Sequence, residues 1–210
     1  MKKINNEMNS SVEKLLNSYT MLYRSTVLLT ALFFGSLLTG CMKQKEARPE
    51  ETSTSGEVKN KASEMTVLYG KSGLSSETIL QLQEVKDATA KYHTVENAFK
   101  DQYVDINLKL PNMGYHFLMS GLVSPVFDVR KPAILVYNKK DNGSFQLVAV
   151  EYAIPIDWSK PNTPPEGFAG DADQWNFNTL NTGWWTLHAW VWQFNPDGVF
   201  KPMNPSVVVK

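Results

Sequence analysis

Residues 184–192 read Trp184-Trp185-Thr186-Leu187-His188-Ala189-Trp190-Val191-Trp192, a run of aromatic and aliphatic side chains broken by one hydroxyl and one imidazole. Such residues fit a pleated, buried surface and read as a strand. Alternation is expected to put Thr186, His188, Trp190 and Trp192 on one face, and Trp185, Leu187, Ala189 and Val191 on the other. Both sets are largely apolar, so the strand is expected to be central in its sheet and covered on both sides. An imidazole in that position needs a partner for each ring nitrogen, because burying a bare polar group costs a few kcal/mol.

The period of two begins near Asn107 and recurs over Tyr115–Ser120, Ala133–Asn138 and Phe145–Ile154, punctuated by Gly and Pro. Lys139-Lys140-Asp141-Asn142-Gly143-Ser144 joins the last two as a hairpin, with Asn-Gly supplying the turn. Upstream the period lengthens. Val85, Ala88 or Thr89, Tyr92, Val95, Phe99 and Tyr103 recur every three or four residues, with Lys86, Lys91 and Lys100 outside the stripe. Ser75 is a suitable cap and Glu77 favours the first turn, so a helix over Ser75–Asp101 is expected. Met65–Tyr69 reads as a short strand before it. The fold class is therefore α+β: one long N-terminal helix packed on an antiparallel β-sheet of about five strands. Between Pro155 and Gly183 runs a long loop rich in Pro and Gly. Loops of that length are functional covers or disordered, and Trp158, Phe168, Trp175 and Phe177 argue against disorder.

Toward the N-terminus, Val27–Leu38 is an apolar run of 12 residues. A bilayer span takes about 20, so the run suits the core of a signal peptide. Leu38-Thr39-Gly40-Cys41 follows at once and resembles the lipobox of bacterial lipoproteins, in which the cysteine is lipidated and becomes the new N-terminus. The resemblance implies a signal peptide over 1–40 and acyl chains, palmitate among them, on Cys41. It also implies a location in the cell envelope, lipid-anchored to a bacterial membrane, at the outer membrane or cell surface. Met21 opens a compact signal by itself and is the expected translation start. Residues 42–64 lack large apolar groups and read as a tether, which leaves 65–210 as a single α+β domain. Cys41 is the sole cysteine, so the domain must hold together without disulfides.

The chain has 21 basic and 21 acidic residues. Cleavage before Cys41 removes Lys2, Lys3, Lys14 and Arg24 with Glu7 and Glu13, leaving 17 against 19 and a formal charge of −2. That balance carries no electrostatic footprint for nucleic acid. There is no GxSxG and no phosphate-cradling glycine loop. The three histidines are His93, on the helix, His116, at the start of a strand, and His188. Glu151 falls late in an apolar strand, in line with Leu147 and Ala149, and must meet a cation, a metal or strong donors. His116, Glu151 and His188 lie on three β-segments of one sheet. Their convergence would make a His₂–Glu site for one divalent metal, with zinc or iron suited to the donors and open positions left for water or substrate. The bland reading has each group satisfied separately by backbone or water.

Met113-Gly114-Tyr115-His116, Val150-Glu151-Tyr152, and Leu187-His188-Ala189-Trp190-Val191-Trp192 with Asn195-Pro196-Asp197-Gly198-Val199-Phe200 resemble a family of exported bacterial proteins without assigned activity. The resemblance spans about 84–205 and rests on MGxH, VEY and LHxWxWxxNPxGxF elements. It implies domain limits but no reaction, and each of the three candidate ligands falls inside one element. The chain departs from that pattern at Pro164-Pro165-Glu166-Gly167-Phe168-Ala169-Gly170. Asn195–Gly198 by itself reads as a turn, and Asp128 with Arg130 as a structural ion pair. Two other readings compete with the metal site. One is a non-enzymatic aromatic platform of Trp158, Trp175, Trp190 and Trp192 (with Trp184) for a glycan or other small-molecule ligand. The other is a structural envelope lipoprotein whose tryptophans only build the core.

Overall fold

The computed structural model describes residues 65–209. The expected signal peptide, Cys41 and the expected tether over 42–64 lie outside the described residues. Helix α1 is Ser76–Thr89, and its first turn is closed by Ser75, whose hydroxyl accepts from the Thr78 N–H at 3.0 Å. Ile79, Leu82, Val85 and Thr89 form its buried stripe. The helix tightens into a 3-10 turn over Ala90–His93 and ends there, 18 residues in all. It does not reach Asp101 unbroken. Thr94 is extended, and a second helix, α2, covers Val95–Lys100. The carbonyls freed at the break are taken by side chains. Tyr137 donates its hydroxyl to the Tyr92 carbonyl at 2.8 Å, and Asn97 donates its side-chain amide to that of Lys91 at 2.9 Å. The break shifts the phase of the stripe, so Ala98 is buried and Phe99 is 49% exposed.

Residues 65–69 are helical, not the expected strand. Met65 and Tyr69, one helical turn apart, both face the core, and Gly70 N–H closes the turn onto the Thr66 carbonyl. Tyr69 donates its hydroxyl to the Trp190 carbonyl at 2.8 Å and so ties this segment to the sheet.

Six strands follow: β1 (Val104–Leu110), β2 (Gly114–Leu118), β3 (Ile134–Lys139), β4 (Phe145–Pro155), β5 (Asn176–Phe177) and β6 (Trp184–Ala189). Their order is β1-β2-β3-β4-β6-β5, with every neighbouring pair antiparallel. The β3–β4 hairpin turns at Gly143, whose φ of 82° suits glycine, while Asn142 accepts from the Ser144 N–H at 3.0 Å. One face of the sheet carries Phe117, Leu135, Tyr137, Leu147, Val150, Tyr152 and Leu187 against Ile79, Leu82, Val85 and Tyr92. The opposite face carries Ile134, Val136, Ala149 and Ala153 beneath Trp190 and Val207.

Two irregularities overturn expected facings. The β3–β4 register shifts between Val136 and Tyr137, an extra residue on β4 that sends Leu147 to the helix face while Ala149 and Glu151 stay on the other. Strand β6 stops at Ala189, short of the end of the apolar run at Trp192. Trp190 N–H bonds the Val199 carbonyl, and both Trp192 and Gln193 N–H groups bond that of Val148. Trp192 therefore parts from His188 and Trp190 and reaches the helix, donating its indole N–H to the Thr89 hydroxyl at 3.0 Å. Among the described residues no helix is long and apolar enough to cross a membrane.

Candidate metal centre

His116 on β2, Glu151 on β4 and His188 on β6 all project from the face opposite α1. Alternation puts them with Ile134, Val136 and Ala149, whose side chains cluster there. Glu151 and His188 are direct cross-strand partners. His116 is two strands away from Glu151. It pairs with Val136, whereas Ile134 is the residue of β3 opposite Glu151, so the His116 ring crosses over β3. One donor atom from each of the three residues falls within 4.8 Å of the others. His188 Nδ1 stands 3.5 Å from Glu151 Oε1 and His116 Nε2 stands 3.8 Å from Glu151 Oε2. The side chains are enclosed, at 2%, 3% and 0% residue exposure for His116, Glu151 and His188.

These separations decide what the three groups do for each other. A charge-assisted hydrogen bond closes to about 2.7–2.9 Å, so neither contact is one. Donors around a tetrahedral ion with bonds near 2.0–2.1 Å are separated by about 3.3 Å. The His188–Glu151 and His116–Glu151 gaps lie just outside that value. The buried face of His188 points the same way. Neither of its ring nitrogens has a hydrogen-bond partner among the described residues, a defect worth about 1–3 kcal/mol for each unpaired group. An ion between His188 and Glu151 would satisfy one of the two nitrogens.

Electrostatics favour neutral imidazoles, the form that ligates. Burial holds His188 down to about 4. Burial also lowers His116, opposed by the charge of Glu151 and reinforced by His188. Glu151 is pushed up by burial, opposed by the charge of His116 and by the nearby Thr186 hydroxyl. His116 Nδ1 lies 3.1 Å from the Leu108 carbonyl of β1. A carbonyl can only accept, so the ring proton sits on Nδ1 and the lone pair of Nε2 faces the carboxylate. Trp190 stacks on His188 with centroids 5.8 Å apart and an interplanar angle of 15°.

The four tryptophans of the expected platform do not come together, and among the described residues none is in ring contact with another. Trp190 is fully enclosed and donates its indole N–H to the Lys201 carbonyl. Trp175 packs edge-on to Phe127, Trp192 lies by the helix with His93 edge-on at 4.2 Å, and Trp158 is 62% exposed beside Phe177. Trp184 packs at the margin of the face that carries the triad. The Pro155–Gly183 loop does not lay its aromatic centre over the triad, because Phe168 packs with the helix-face cluster. Asp128 pairs with Lys131 at 2.9 Å, and takes only the backbone N–H of Arg130. Asn195 accepts from the Asp197 N–H and donates to the Met203 carbonyl, as a turn residue does. Thr186 was legible as a neighbour of His188 on the same face but was not singled out. Thr179, which meets it from the loop, carried no local signal.

No family model, curated protein or solved structure matches the chain.

Proposed function

We propose that this domain is the metal-binding part of an exported lipoprotein, the ion held by His116 Nε2, Glu151 and a ring nitrogen of His188. The observation that carries the reading is the enclosed His188, with both nitrogens unpartnered and Nδ1 facing a carboxylate at 3.5 Å. Two imidazoles and one carboxylate suit zinc or iron and leave at least one coordination position open. When bound, such an ion supplies a Lewis acid for water or a small ligand. The chain's own contribution is a dry, closed setting: His116 is aimed by Leu108, His188 is braced by Trp190, and Glu151 is paired with His188 across β4 and β6. Burial limits what reaches the open position to water and small molecules as long as the face stays closed. The lipobox-like Leu38-Thr39-Gly40-Cys41 supports attachment of this domain to a membrane through lipid on Cys41.

Elemental analysis of tag-free protein tests the metal reading. One ion per chain is expected in the wild type, with less than about a tenth of that in His116→Ala and His188→Ala. Absence of stoichiometric metal after exposure to zinc and to ferrous iron, or full occupancy in the double histidine variant, refutes it.

A further inference from the structure

The triad lies on the sheet face opposite α1, so its cover must come from elsewhere in the chain. Trp190 supplies part of it: the ring is fully enclosed and stacks on His188. That ring is latched from the C-terminal side, since its indole N–H donates to the Lys201 carbonyl at 2.6 Å. Farther on, Val207 is 1% exposed and packs in one cluster with Trp190, Val136 and Ala149. Val136 is the cross-strand partner of His116, and Ala149 lies two residues before Glu151 on the same face. The segment Lys201–Val207 thus starts on the ring that covers His188 and ends in the cluster around which His116 and Glu151 meet.

This segment forms neither helix nor strand. Pro202 and Pro205 have no N–H to offer a ladder, and Ser206 and Val207 direct theirs back to Asn204. Its attachment to the domain centres on Asn204, which is fully buried. The Asn204 backbone N–H donates to the Asn112 carbonyl at 2.7 Å, and its side-chain amide donates to the Phe194 carbonyl at 3.1 Å. Asn195 donates to the Met203 carbonyl at 2.8 Å. The outer side is open to solvent, with Met203 and Val208 exposed. A segment held by few buried side chains and few backbone bonds opens at a lower free energy than the ladders of β2, β4 and β6 beneath it.

We propose that Lys201–Val207 is a strap that gates the triad: ions enter and leave when it lifts from the sheet and frees the Trp190 ring. This rests on the metal reading and adds to it how the enclosed site is reached. The Asn204 amide is engaged with a backbone carbonyl and Val207 is apolar, so the strap controls access without supplying a ligand. Uptake and release then pass through the same open state. Loosening the strap multiplies both rates by one factor and leaves Kd where it was, whereas losing a ligand raises Kd.

The probe is zinc alone, added to full-length protein and to Asn204→Ala, Val207→Ala and Ile79→Val. Stopped-flow uptake, release into excess chromophoric chelator, and Kd by competition are measured for each. Asn204→Ala leaves the buried Phe194 carbonyl without its donor, and uptake and release are both expected to rise about 10-fold at unchanged Kd. Val207→Ala is expected to raise both rates by a smaller factor. Ile79→Val loosens the helix face of the sheet and is expected to keep wild-type rates. Wild-type rates in both strap variants overturn the proposal and leave the triad standing. Faster release at unchanged uptake overturns it also, since the strap would then be holding the ion and not the entrance. Equal acceleration in Ile79→Val overturns it by showing that exchange follows general unfolding. Failure of the wild type to bind zinc removes the metal reading and this proposal together.

Discussion

Replacing His188 with leucine separates a metal ligand from an ordinary core histidine, because the two roles give opposite signs in metal-free protein. Both ring nitrogens of His188 are buried without a hydrogen-bond partner. Removing them recovers about 1–3 kcal/mol apiece. Against this stand the lost ring stack with Trp190, about 0.5–1.5 kcal/mol, and a shape mismatch in a packed site, up to about 1.5 kcal/mol. The balance runs from about 1 kcal/mol less stable to about 5 kcal/mol more stable for metal-free His188→Leu, centred about 2 kcal/mol on the stable side. At this domain size 1 kcal/mol moves the melting temperature by about 2–4 °C. Metal reverses the order. At a free concentration 1,000 times Kd an ion stabilises the wild type by about 4 kcal/mol, or roughly 8–16 °C by the same conversion, and leaves His188→Leu unmoved. Circular dichroism melts with chelator and with zinc read both effects. A metal-free His188→Leu protein weakened by more than about 2 kcal/mol, together with a wild type indifferent to zinc, refutes the reasoning.

Acid should weaken the metal-free protein in a defined window. Burial holds His188 to about 4, against about 6.5 in an unfolded chain. Between those values the unfolded state binds the extra proton, so stability falls as pH falls from 6.5 toward 4, by up to about 3 kcal/mol from this group. His116, also lowered, adds to the loss, whereas Glu151, raised by burial, contributes stability at low pH that is lost as pH rises through its folded value. Urea titrations at pH 7, 5.5 and 4.5 check this, with a slope in the wild type that His188→Leu reduces. Gly114→Ala should cost about 1–3 kcal/mol: φ is 96° and the new Cβ would stand 2.6 Å from the Tyr137 carbonyl, on the strand that aims His116. Unchanged denaturant midpoints would sink that expectation. Cys41→Ser should abolish palmitate labelling and release the protein from membranes on fractionation; a labelled serine variant counts against lipidation at Cys41.

The parts of the fold that depend on neighbours in sequence were legible. Ser75 caps α1, Val85, Thr89 and Tyr92 are buried as their spacing requires, and Asn142-Gly143 turns the hairpin. Alternation was right wherever the strand is regular, so Glu151 and Ala149 share a face, as do His188 and Thr186. It failed at the two places where a long-range partner adds or removes a residue of pleat: at the β3–β4 bulge, which turns Leu147 over, and after Ala189, where Val148 takes two N–H groups and turns Trp192 over. The helix break at Thr94 has the same origin, because the hydroxyl that takes the Tyr92 carbonyl comes from Tyr137, 45 residues away. Strand β1 was obscured by its position at the sheet edge, mostly exposed and broken by a bulge between Asp105 and Leu108. The triad's membership could be read from residue type and face. Its convergence could not, since it depends on His116 reaching across β3 and on β6 lying beside β4.

That last condition explains the long loop. Strand β6 is antiparallel to both β4 and β5, so β4 and β5 run parallel, with β6 inserted between them. Asn176 and Phe177 stand level with Ala153 and Ile154 across β6, so a chain leaving β4 at Pro155 must turn back and re-enter in the same direction, and a parallel re-entry calls for a crossover of a dozen or more residues. The crossover passes over the helix side. Phe168 is buried there, Ala169 N–H bonds the Gln81 side chain at 2.7 Å, and Thr78 donates to the Ala169 carbonyl at 2.7 Å. Asp173 clamps it by accepting the Phe168 N–H at 2.8 Å. A crossover and a lid respond differently to the same lesion. A Cβ at Gly167 would overlap the Asp173 carboxylate, so Gly167→Ala must displace the clamp, at a cost of about 1–3 kcal/mol. If the segment is the crossover that seats β6, the variant loses that stability in metal-free protein, and zinc dissociates from the folded fraction at the wild-type rate. If it is a lid, the metal-free stability is unchanged and zinc exchange accelerates. Urea titration and competition with a chromophoric chelator distinguish the two, and accelerated exchange at unchanged stability would overturn the topological account.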